Sequence, residues 1–131
     1  MAENNKNPNR ENYTIAEDTS VGTVQIADEV VAIIAGLAAT DVEGVGSMAG
    51  NITNELVGKL GMKNLSKGVS VDIIDEVVSV TLSLNLKYGY AIPGVSEKVQ
   101  IKVKKAIENM TGMTVSDVNI EIAGVNLENT K

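Results

Sequence analysis

Three pairs of acids in this chain have the type and spacing for acid–base chemistry: Asp28/Glu29, Asp41/Glu43 and Asp75/Glu76. Two carboxylates a few ångströms apart can divide the work of general acid and general base, as they do in glycosidases. A sugar-cleaving enzyme also wants aromatic platforms, and these 131 residues include no Trp and no Phe. Each pair has a plainer account too. Asp28 and Glu29 fall where a helix starts and suit the positive end of its dipole. Asp41 and Glu43 fall where that helix ends, and Asp75 and Glu76 mark a turn. Asp72, Asp75 and Glu76 offer oxygens to a hard cation, but without the spacing of a calcium loop.

Other chemistries lack their key residue altogether. There is no His, which removes the usual base near neutral pH, the Ser–His pair and imidazole metal sites. There is no Cys, hence no disulfide, thiolate nucleophile or thiolate metal site. The string Gly44-Val45-Gly46-Ser47-Met48-Ala49 spells a dinucleotide fingerprint, but that fingerprint works after a strand and at the start of a helix. Here a helix precedes the glycines, so a helix-terminating loop is expected. Gly58-Lys59-Leu60 lacks the Ser/Thr and upstream glycine of a phosphate loop. The expectation is no catalytic residue, no cofactor, no metal, and no enzyme.

What remains is surface. Lys59, Lys63 and Lys67 lie in a stretch with no acid between Glu55 and Asp72. Lys98, Lys102, Lys104 and Lys105 occupy the polar side of a second helix. Net charge is −6 but unevenly spread: residues 1–58 carry two bases and nine acids, residues 59–105 eight bases and four acids, and residues 106–131 one base and four acids. Such segregation can create a patch of sign opposite to the whole. It would face an acidic partner or anionic lipid headgroups, the plainer account being lysines scattered for solubility. Nucleic acid is not expected, since no aromatic platform accompanies the charge. Tyr88 and Tyr90 flank Gly89 at a strand end. Either they form a contact site, as tyrosine favours interfaces, or Tyr88 packs and Tyr90 edges the surface. The candidate interaction surface is therefore Lys59, Lys63, Lys67, Tyr88, Tyr90, Lys98, Lys102 and Lys105.

These residues need elements to hold them. Residues 1–20 are polar and read as a disordered tail; order is expected to begin with a short strand near Val21–Ile26. A helix follows over about 28–42, with Val30, Ile33, Ile34 and Leu37 as its apolar stripe. Ala32, Ala35, Gly36 and Ala39 would allow close approach to a neighbour. Over 45–67 a short strand and a short helix (Ile52, Leu56, Val57, Leu60) fit. Val69, Val71 and Ile73, a turn at Asp75-Glu76, and then Val78, Val80, Leu82, Leu84, Leu86 and Tyr88 at period two describe a β-hairpin. The second helix spans about 93–111, with Val95, Val99, Val103, Ala106, Ile107 and Met110 on its apolar face. Pro93 sits in its first turn and Gly112 ends it. A last strand over 115–122 runs into a bulge at Ala123-Gly124.

Neither helix can bury its stripe alone, and the hairpin offers one apolar face. The expected fold is α+β: two layers, with two main helices on one face of a mostly antiparallel sheet. One domain over 21–127 would lie between the tail at 1–20 and a short C-terminal tail at 128–131. No secretory h-region and no run of about 18 apolar residues is visible, so a cytoplasmic setting without a membrane span is expected.

The blocks GTVQIADEVVAIIAGLAATDVEGV, GVSVDIIDEVVSVTLSLNLKYGYAIPGVSEKVQIKVKKAIENMTG and VSDVNIEIAGV resemble the alkaline shock protein family of Gram-positive bacteria, which serves general and envelope stress. The middle block is the most specific: an alternating strand, Tyr-Gly, then a Val-x-x-x-Val-Gln helix ending in Thr-Gly. The resemblance implies a non-enzymatic protein of cell-envelope homeostasis. It also implies peripheral membrane association through a small membrane-anchored partner, seen in some relatives, and self-assembly, seen in others. Where relatives often carry Ser before the first helix this chain has Ala27, which forgoes a natural cap.

Overall fold

A computed structural model of the chain describes residues 21–48 and 66–127, together with the backbone of 12–16. The short helix expected around Ile52–Leu60, and with it Lys59 and Lys63, lies outside the described residues. The elements run β1 (Asn12–Ala16), β2 (Val24–Ala27), α1 (Asp28–Thr40), β3 (Val45–Met48), β4 (Val69–Ile74), β5 (Val77–Lys87), α2 (Ile92–Thr111) and β6 (Thr114–Asn126).

β5 organises the sheet. Its alternation places Val78, Val80, Leu82, Leu84 and Leu86 on one face, all fully buried or nearly so. Fully burying each such side chain contributes roughly 1.5–3 kcal/mol. Along one edge β5 pairs antiparallel with β4 (Ile74↔Val77 to Val69↔Leu82), and further on with β3 (Met48↔Leu84, Val45↔Leu86). β3 and β4 thus lie end to end. Along the other edge β5 pairs in parallel with β6 over its whole length, and α2 forms the crossover. Both neighbours on the first edge are antiparallel, and both helices cover the apolar face of the sheet: the α+β two-layer fold.

Local chemistry explains the joints. The hairpin turn is Asp75-Glu76, both with positive φ (54° and 66°), the backbone that matches the twist of two paired strands. Pro93 lies in the first turn of α2, and Gly112 closes its end with φ 78° while its N–H donates to Glu108 O at 2.9 Å. β6 bulges where the glycine suggests: Leu84 pairs with Ile122 but Asn85 with Gly124, so Ala123 is the extra residue. A second bulge at Ser116 lets its hydroxyl donate to Val78 O. On the wet face Ser79 and Ser83 donate to Asp117 and Glu121 across the parallel pair, each at 3.0 Å.

Three expectations change. The tail assigned to 1–20 contains a strand, since β1 pairs antiparallel with β2 (Tyr13↔Ile26, Thr14↔Gln25); a polar sequence can form a strand when its backbone finds a partner. The fully buried face of α1 is Val31, Ala35 and Ala39, with Ala32, Ile34 and Ala38 nearly so, whereas Val30 is 46% exposed. Small side chains let α1 lie close against β3, β4 and β5, which rotates the larger ones outward. Finally, Tyr88 is 73% exposed and does not pack. β5 ends at Lys87, so Tyr88 falls past the last position that the helices cover.

Candidate docking site

Helices α1 and α2 lie side by side on the sheet. The C-terminal end of α1 meets the middle of α2 and the chain just beyond it meets the start of α2, because Asp41 pairs with Lys102 at 2.9 Å and Gly44 abuts Val95. The helices therefore run antiparallel. Their inner sides are packed. Their outer sides leave an open groove of about 650 Å³, lined by Val30, Ile33, Ile34, Leu37, Ala38 and Asp41 from α1 and by Lys102, Ala106 and Met110 from α2. Val30, Ile33, Leu37 and Asp41 follow one another at steps of three and four, so they form one ridge along α1. A second, smaller depression of about 470 Å³ shares Lys102 and Ala106 and adds Lys98, Ile101, Lys105 and Asn109. The surface is thus continuous: an apolar floor with lysines along the α2 side.

The groove arises from the sequence locally. α1 is apolar nearly all round, and such a helix needs cover on more than one side. The sheet covers the small-residue side and α2 one flank; Val30, Ile33 and Leu37 are left partly open. On α2, Val95, Val99, Val103 and Ile107 recur every four residues and are buried. Ala106 is half-buried and Met110 is 69% exposed at the end of the groove. Sequence periodicity assigns these residues to the core; the excess of large apolar side chains over what one face of α1 can bury is the readable sign of a second apolar surface.

Of the residues singled out by sequence, Lys98, Lys102 and Lys105 come together beside this groove. Lys67 is exposed in a short turn before β4 and does not line it. Tyr88 stands at the far end of β5, where its N–H donates to Asn126 O. Tyr90 has an internal task. Its hydroxyl donates to Glu43 Oε2 at 3.1 Å, and its ring lies against Gly44, where an added Cβ would meet Tyr90 Cδ2 at 2.9 Å and Val95 Cγ2 at 2.7 Å. The hydrogen bond to the Glu43 carboxylate, its negative charge and slight desolvation all hold the Tyr90 hydroxyl above its usual pKa. Gly44 adopts φ +102° there, and Gly46 is pressed against the Asn126 amide. Gly44 therefore serves the turn from α1 into β3, whereas Gly46, expected in a helix-terminating loop, lies within β3 at its register shift.

The opposite flank of α2 is engaged with the sheet. Gln100 Nε2 donates to Val118 O at 3.0 Å, Lys104 Nζ to Val115 O at 3.4 Å, and Val115 N–H to Glu108 Oε2 at 3.0 Å. Lys104 also pairs with Glu108 at 3.0 Å. The Val115 N–H bond first, and then the Lys104 bond, hold the Glu108 carboxyl below its ordinary pKa. Among the described residues no group of His, Cys, Asp or Glu is placed to hold a metal ion, and no helix is long and apolar enough to cross a membrane.

Comparison with known proteins agrees with this fold-wide pattern. Residues 16–127 match the family of alkaline shock protein 23, described as having a cell envelope-related function. The chain is 38% identical over 112 residues to the uncharacterized protein YqhY of Bacillus subtilis, covering 86% of this chain and 83% of that protein. It is 35% identical over 113 residues to YloU of the same organism, covering 85% and 94%. A Streptococcus pyogenes protein named stress response regulator gls24 homolog is 26% identical over 105 residues, 79% of this chain and 59% of that one. No solved structure matches significantly. With the family match spanning most of the chain and two relatives above 30% identity, the chain belongs to this alkaline shock, cell-envelope-related family.

Proposed function

We propose that the chain is a non-catalytic docking module of the envelope stress response, recruited to the cytoplasmic side of the envelope by a membrane-anchored protein that seats on the groove between α1 and α2. The observation that supports this most is the groove itself: Val30, Ile33, Leu37 and Met110 form an open apolar strip, and an apolar groove between helices is a recurring way to seat a partner segment. A photo-activated cross-linking residue in place of Ile101, on the groove's lysine-bordered side, should capture a membrane protein in living cells. The same residue in place of Asn119, on the wet face of the sheet, should not. Failure of the groove position to yield any membrane protein would remove this reading. Turnover of a small molecule by the pure protein, abolished by replacing one acid, would remove its non-catalytic part.

A second reading has the lysines meeting phosphates directly, in anionic lipid or nucleic acid. It draws on Lys98 and Lys105, which have no ion-pair partner among the described residues. Binding to anionic vesicles or RNA that falls as salt rises would favour it. Self-association would show as cross-links between two copies of the chain.

A further inference from the structure

We infer that the occupant of the groove is an amphipathic helix with acidic residues along one flank only, the flank that lies over α2; this rests on the docking reading above. The walls of the groove are both helices, whose main-chain groups are already bonded within each helix. An extended peptide draws its affinity from main-chain bonds to a free sheet edge, and this groove offers none. A guest must satisfy its own backbone and bring only side chains, which is what a helix does. The shorter wall is α1, with 13 residues, or about 20 Å at 1.5 Å per residue. A guest helix of about four turns therefore fills the groove end to end.

Charge sets the orientation. α1 contains no Lys or Arg; its charges are Asp28 and Glu29 in the first turn, with Asp41 just beyond its end. α2 brings Lys98, Lys102 and Lys105 to the other side. A flat anionic surface would meet lysines along one wall and, along the other, an apolar ridge that ends in Asp41. A helix can place its acids on one flank and neutral residues on the other, so it matches both walls at once. Lys102 is held by the half-exposed pair with Asp41, a kind of contact worth little and easily exchanged.

The test uses two labelled, helix-stapled peptides of about 14 residues with leucines at helical spacing, one with a flank of Glu and the other with the same flank of Lys. Vesicles of phosphatidylglycerol with phosphatidylcholine are a third probe. The full chain should bind the Glu peptide about tenfold or more tightly than the Lys peptide, the scale of a desolvated interface anchor. The triple variant Lys98→Glu, Lys102→Glu, Lys105→Glu should reverse the preference. Met110→Glu, at a site exposed enough to leave the fold intact by circular dichroism, should weaken the Glu peptide about tenfold. Equal binding of the two peptides, an unreversed preference in the triple variant, or vesicle binding lost in Met110→Glu without peptide binding would overturn the inference. A groove cross-link to a membrane protein without peptide preference leaves the docking reading and removes this one. Peptide preference without any such cross-link keeps the groove as a docking site for an acidic helix and removes the membrane anchor.

Discussion

The two flanks of α2 differ in what their polar side chains do. Towards β6, Gln100, Lys104 and Glu108 form a row one helical turn apart, and each is bonded to the backbone of the strand. That strand is 13 residues long and lies at the sheet's edge, where unpaired main-chain groups invite other strands. The row covers part of that edge. Towards α1, Lys98, Lys102 and Lys105 border an apolar hollow, and of the three Lys102 alone makes an ion pair among the described residues. One flank closes the molecule; the other leaves it open. Lysines that look alike in sequence, Lys104 beside Lys105, thus belong to different tasks according to the side of the helix they occupy.

The sharpest way to break this contrast is to place a charge between the flanks and then on the open one. Val103 is fully buried beneath both. Val103→Asp leaves a buried charge unpaired, at a cost of roughly 3–5 kcal/mol against a total stability of about 5–15 kcal/mol. Leu82→Asp, fully buried on the inner face of the sheet, should do the same. Both should appear as loss of the cooperative urea transition. Met110→Asp on the open side should change the midpoint by no more than about 0.5 kcal/mol. An equal loss at Met110 would mean that the groove is core, covered by something else.

Gly44→Ala ranks next. Gly44 lies between α1 and β3, with φ +102°, and the start of α2 rests on it through Tyr90 and Val95. A side chain there brings about 1–2 kcal/mol of backbone strain and about 1–3 kcal/mol of overpacking. The urea midpoint should fall accordingly, and the environment of Tyr90 should change in its near-ultraviolet signal. An unchanged protein would show that the corner does not set where the flanks of α2 point.

How much of this contrast can be read beforehand follows from the range of each signal. The alternation from Val78 to Leu86, the Asp75-Glu76 turn, the cap at Gly112 and the bulge at Gly124 depend on neighbours in sequence, and each is legible. The parallel pairing of β5 with β6 joins strands on either side of α2, and residue order carries no direct mark of it. α1 is the instructive case. Its period is plain in the sequence but its inward side is not, because hydrophobicity favours Val30 and Leu37 as core whereas close packing favours Ala35, Ala38 and Ala39. The lysines of α2 are legible as a group; that Lys104 faces the strand and Lys105 the open surface needs the sheet.

A smaller effect tests the opposite wall of the groove. Ala27 is the residue before α1, with extended backbone (φ −72°, ψ 146°) and no side-chain cap. Ala27→Ser should supply an acceptor for a free N–H of the first turn and raise stability by about 1 kcal/mol, read as a higher urea midpoint with peptide binding unchanged. A loss instead would mean that packing of this half-buried position outweighs the missing cap.

The mildest test concerns the closed flank alone. Glu108 has its carboxyl pKa lowered from an ordinary 4.5 by the Val115 N–H and by Lys104. A carboxylate that ionises more readily in the folded chain stabilises it fully above the unfolded pKa, and that contribution fades as pH falls through the lower, folded value. Stability measured by urea midpoint should therefore decline on acidification below about pH 4.5, with Glu108 supplying part of the decline. Glu108→Gln keeps an oxygen to accept from Val115 but removes the charge, so its acid limb should be shallower than that of the native chain. Lys105→Gln, on the other flank, should leave the limb as it was. If the two substitutions change the limb alike, the charges on the two sides of α2 are equivalent and the division of labour between them fails.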